Sequence, residues 1–66
     1  MTEIMKSIIQ ECQSKQITQR ELAEKSGLTE ASISRYFNGE RTPNLRNAER
    51  MAMAIGKKLI MNEVAE

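Results

Sequence analysis

Thr18-Gln19-Arg20-Glu21-Leu22-Ala23-Glu24-Lys25-Ser26-Gly27-Leu28-Thr29 is the stretch whose reading decides the fold. Thr18 and Glu21 have capping-box spacing. The hydroxyl accepts from the amide three residues on, and the carboxylate reaches back to the Thr18 amide. Ile17, just before, suits a hydrophobic staple onto Leu22. A helix of about two turns then runs to Ser26, where Gly27 supplies the positive φ that ends it. Thr29 caps the next helix, with Glu30 in its first turn, where the helix dipole favours an acid. Helices this short do not persist alone in water, so both need partners packed against them.

Apolar residues at helical spacing supply those partners. Ile4, Met5, Ile8, Ile9 and Cys12 form one face of an N-terminal helix that Thr2 is placed to cap. Ile33, Tyr36 and Phe37 give the buried stripe of the helix after Thr29, and Asn38-Gly39 stops it. A polar loop from Glu40 to Pro43 leads to Asn44, a cap for a fourth helix. That helix carries Leu45, Ala48, Met51, Ala52 and Ile55 inward as far as Gly56. Leu59, Ile60, Met61 and Val64 in the tail fit either a short fifth helix or a strand. The run following Gly56 without a cap favours the strand.

The bulk numbers exclude several classes. A chain of 66 residues makes one small domain, which buries only ~60% of the surface of its unfolded chain. With one Cys and no His, neither an internal disulfide nor a Cys/His metal site is available, so self-association is the expected support. Cys12 reads as a small buried hydrophobe, and a lone Cys fits a reducing cytoplasm. No run is apolar enough to span a membrane, and Glu3 and Lys6 interrupt the place of a signal peptide. The nine acids are all Glu and the net charge is +1. With no His, no Asp and no paired carboxylates, no catalytic residue, cofactor or metal is expected. Residues 29–50 differ from the rest in kind: their cations are Arg35, Arg41, Arg46 and Arg50, the side chain that forks onto phosphate and guanine.

Two short helices joined by a Gly turn carry the function. Ala23 stands where they cross, Leu28 plugs the space beneath the turn, and Ile33 and Tyr36 hold the second helix down. Glu30, Ala31, Ser34 and Arg35 then point outward. The stretch Thr18 to Thr29, Ile33-Ser34-Arg35-Tyr36, and the loop Asn38-Gly39-Glu40-Arg41-Thr42-Pro43, taken in order, resemble the Cro/phage-repressor (XRE) helix-turn-helix family over roughly residues 4–56. The resemblance implies an all-α, compact four- to five-helix bundle of lambda-repressor-like type, with a short C-terminal strand as a variant. It also implies that double-stranded DNA is the partner and that the third helix enters the major groove.

Carried over position by position, the resemblance implies base contacts from Thr29, Glu30, Ala31, Ser34 and Arg35. Arg35 suits guanine O6 and N7, and Ala31 a thymine methyl. Glu30 either meets cytosine N4, or excludes wrong bases, or serves the helix dipole alone. Gln19 matches a family phosphate contact. Asn38, Arg41, Asn44 and Arg46 surround the free amides of the fourth helix, a ready anion site. Arg20 and Lys15 are weaker additions. Glu30 and Glu40 set negative charge near this face, so one copy should bind weakly and with strong salt dependence. The expected remedy is a homodimer on a palindromic operator, its interface built from the fourth helix and tail through Met53, Leu59 and Met61. The leading expectation is a cytoplasmic transcriptional repressor comprising one domain, residues 1–66. The alternative is an antitoxin-type module that neutralises a partner protein.

Overall fold

A computed structural model describes residues 2–56. Four helices follow in order: α1 (Glu3–Lys15), α2 (Gln19–Ser26), α3 (Glu30–Phe37) and α4 (Leu45–Ala54). The all-α class is as the sequence implies, and no strand occurs among the described residues. The alternatives of strand or fifth helix concern residues 57–66, which lie outside them.

Each helix begins on a side-chain cap that satisfies one of the orphan amides of its first turn. Thr2 Oγ1 accepts from the Met5 amide at 3.1 Å and Thr18 Oγ1 from Glu21 at 3.0 Å. Thr29 Oγ1 accepts from Ser32 at 3.1 Å and Asn44 Oδ1 from Asn47 at 2.8 Å. The capping box closes fully, since the Thr18 amide donates to Glu21 Oε1 at 3.0 Å. At the other ends the chain turns left-handed. Gly27 does so after α2 (φ 77°), and Gly39 after α3 (φ 78°). After α1 the same turn falls on Gln16 (φ 58°), with the Ile17 amide donating to the Cys12 carbonyl at 2.8 Å. Here a residue with a Cβ occupies a position that glycine takes without strain.

The core gathers Met5, Ile8 and Cys12 from α1, Leu22 and Ala23 from α2, Ile33 and Tyr36 from α3, and Met51 with Ile55 from α4 and its cap. α1 and α2 each pack on both α3 and α4, whereas α3 and α4 share no close backbone approach. The inward arc of α1 is narrower than its spacing suggested: Ile4 and Ile9 are only half-buried flanks. Leu45 departs further from expectation, being 51% exposed. It is the first residue of α4, and a side chain leans toward its helix N-terminus, so Leu45 projects past the core rather than into it.

One polar contact closes the bundle end to end. Lys15 Nζ donates to the Ile55 carbonyl at 2.6 Å and pairs with Glu11 at 3.3 Å. α4 has no cation in its own last turn, so Lys15 brings a positive charge from α1 to the negative end of that helix. Lys15, the weaker candidate for a phosphate contact, is exposed and already engages these two acceptors. None of the described helices is long and apolar enough to cross a membrane.

Two stability predictions follow from these contacts. Gln16→Gly relieves the left-handed strain at the end of α1, partly offset by a looser unfolded chain. It should stabilise the protein by about 0.5–1 kcal/mol, raising the melting midpoint by roughly 2–8 °C. An unchanged or lower midpoint in calorimetry would count against the strain. Cys12 is 2% exposed, and burial pushes its thiol pKa up, with Glu11 adding to the rise and Lys15 opposing it. The folded state therefore favours the neutral thiol. That advantage is whole below the ordinary thiol range of ~8.5 and is lost as pH climbs beyond it. The melting midpoint should fall more steeply between pH 7 and pH 10 in the parent than in Cys12→Ala; parallel slopes would refute this.

Candidate nucleic-acid interface

The α2–turn–α3 unit is held by small buried groups between its helices. Ala23 is 5% exposed, and Ser26 keeps its hydroxyl satisfied by donating to the Ala23 carbonyl at 3.3 Å and accepting from the Leu28 amide at 3.4 Å. Ser26 thus pins the turn from within, a role the sequence reading did not assign. A Cβ at Gly27 would meet nothing nearer than Arg50 Nη1 at 3.9 Å. The glycine is there for its φ, and not for want of room.

α3 is buried along one line and open along the rest. Ile33 has no accessible surface and Tyr36 has 5%. Thr29, Glu30, Ala31 and Arg35 are exposed and Ser34 is half-exposed. The five residues expected to meet bases therefore share the outer side of α3 and its cap. Their chemistry is not equal. The Thr29 hydroxyl already accepts from the Ser32 amide and donates to Ser32 Oγ at 2.9 Å, so capping occupies most of its capacity. Ser32, expected to face inward or toward the backbone, is half-buried in that arrangement. Arg35 forms no ion pair or side-chain hydrogen bond among the described residues, leaving its planar donor fork open to solvent.

The residues expected to hold phosphates lie on α2, on the loop after α3 and at the start of α4. Gln19 is half-buried at the first position of α2, while Asn38, Arg41, Asn44 and Arg46 are exposed. Arg41 and Thr42 line a hollow of about 240 Å³ with Thr2, Met5, Tyr36 and Gly39, which sets the loop after α3 against the start of α1. Arg41 and Arg46 have no ion-pair partner among the described residues. Two of the amides are less free than their type suggests. Asn38 Nδ2 donates to Glu40 Oε2 at 3.4 Å. Asn44 Oδ1 is the cap of α4, so its amide NH₂ is the part left for a ligand.

The sequence reading missed Asn47. Its Nδ2 donates to Tyr36 Oη at 2.9 Å and joins α3 to α4. A buried tyrosine hydroxyl requires a polar partner. That requirement was the available signal, but nothing local identified which residue would meet it.

Of the expected dimer contacts, Met53 is 77% exposed on α4, and Leu59 and Met61 lie outside the described residues. No group of potential metal ligands is assembled among the described residues.

No curated protein and no solved structure matches the chain. A family model described as helix-turn-helix matches residues 8–60, from within α1 through the whole of α4. With this match added to the capped α2–Gly27–α3 unit, the chain belongs to the XRE-type helix-turn-helix family of DNA-binding transcription regulators.

Proposed function

We propose that the protein is a cytoplasmic, sequence-specific repressor, a single domain over residues 1–66, that binds a palindromic operator as a homodimer. The observation that carries this reading is the outer side of α3: Arg35 unpaired among the described residues, beside Glu30, Ala31 and Ser34. These side chains take no part in the core that Ile33 and Tyr36 enter. α3 lies in the major groove with its first turns toward the bases. Arg35 forks onto a guanine, Ala31 packs on a thymine methyl, and Glu30 accepts from a cytosine or repels other bases. Ser34 and the end of Thr29 add smaller contacts.

Affinity comes from elsewhere. Gln19, Asn38, Arg41, Asn44 and Arg46 grip phosphates on either side of the reading helix, fixing its orientation without reading sequence. Few cations are engaged, and Glu30 and Glu40 oppose them. A single copy is therefore weak, and two copies on half-sites ~34 Å apart restore specificity. Met53, a large apolar side chain left in solvent by one copy, is the natural centre of that dimer, with Leu59 and Met61 extending it.

Selection from a random duplex pool with purified protein, repeated at two salt concentrations, tests the whole reading. A palindrome should be enriched. Arg35→Ala should cost about 1–3 kcal/mol at one base position and relax preference there. Arg41→Ala should weaken all sequences alike and lower the salt slope by about one. Enrichment of no palindrome would refute sequence-specific binding by a dimer. Met53→Glu should shift the sedimenting species from dimer to monomer and reduce operator binding. A parent chain that is already monomeric would favour the second reading, in which the exposed apolar side of α4 masks a partner protein.

A further inference from the structure

We infer that Asn47 is a positioning residue for DNA binding: its hydrogen bond to Tyr36 sets the register between the reading helix α3 and the phosphate-gripping start of α4. The inference rests on the interface proposed above. α3 and α4 serve different parts of one duplex, yet they share no close backbone approach and are separated by the loop of residues 38–44. The Asn47–Tyr36 bond is the one side-chain hydrogen bond between them among the described residues.

Asn47 is tied at both ends. Its side-chain Nδ2 donates to Tyr36 Oη at 2.9 Å, and its backbone amide donates to Asn44 Oδ1 at 2.8 Å. The first bond reaches the last turn of α3. The second is the cap that shapes the start of α4, where Arg46 and the Asn44 amide lie. Tyr36 is fixed in the core at 5% exposure, so its hydroxyl is a steady anchor. Any sliding of the α4 start relative to α3 must break this bond or move a buried ring.

Phosphates on a duplex have fixed spacing from the base edges between them. A specific complex needs reader and grip engaged together, whereas non-specific binding uses the phosphates alone and tolerates a shifted register. Losing the bond should therefore lower specific affinity selectively. The pair is only partly buried, so water can replace the lost partner and the fold should survive.

The test uses the full chain and two probes: a duplex enriched by selection with the parent protein, and an unrelated duplex of equal length. Tyr36→Phe removes one hydroxyl and keeps the ring. It should weaken the enriched duplex by about five- to tenfold, the worth of one hydrogen bond. The unrelated duplex should stay within about twofold. Asn47→Ala should do the same, and the double variant should lose no more than either single one, since both remove the same bond. Equal loss on both duplexes, or additive losses, overturns the inference, because either outcome marks general weakening. Unchanged binding by Tyr36→Phe, with Arg35→Ala and Arg46→Ala still impaired, overturns it and leaves the interface standing. If those two arginine variants also bind normally, the interface falls and the inference with it.

Discussion

Neither α2 nor α3, at eight residues each, is long enough to hold a helical shape in water. What makes both possible is the shared burial of Leu22 and Ile33, each without accessible surface, in one core with Met5, Ile8 and Met51. Each fully buried side chain of this kind contributes roughly 1.5–3 kcal/mol. That is a large share of the few kcal/mol of net stability available to so small a domain. Everything presented to solvent by α3 depends on this apolar contact. The outward residues contribute little to holding the helix, and they stay in place because Ile33 and Tyr36 cannot move.

Much of this was legible in the sequence because it is local. Thr18 and Glu21 complete their box within three residues, Gly27 turns the chain at once, and Thr29 and Asn44 cap the helices that follow them. Helical periodicity separated Ile33 and Tyr36 from Glu30, Ala31 and Arg35. The contacts that were not legible join distant positions. Lys15 meets the Ile55 carbonyl across 40 positions, and Asn47 meets Tyr36 across 11. In a sequence, Lys15 is simply one surface cation among ten basic residues. Its pair with Glu11 is local, but only the packing of α1 across the end of α4 brings it to the Ile55 carbonyl. Leu45 misled for a related reason: its spacing suits the inner stripe, but the first residue of a helix has no turn before it on which to lie.

The electrostatics of the proposed interface are sparse. The whole chain carries a net charge of +1, and Glu30 and Glu40 are exposed close to Arg35 and Arg41 in sequence. A strongly basic surface attracts any duplex. A nearly neutral one gains little from non-specific contact and relies on correct placement of a few groups. That balance gives weight to devices that fix geometry, among them the tie from Asn47 to Tyr36 and the cap at Asn44.

The closed ends of the helices carry a consequence for how such a protein changes over generations. α3 begins on the Thr29 cap, ends on the Gly39 turn, and is anchored by Ile33 and Tyr36. None of these is among the outward side chains at 30, 31, 34 and 35. Apart from Thr29, which caps α3 and is also a proposed base contact, the residues that build this helix and those proposed to read DNA are therefore different ones. Variation at the outward positions 30, 31, 34 and 35 can accumulate with little toll on the fold, so, on the proposed reading, a lineage built on this scaffold is free to wander from one target sequence to another.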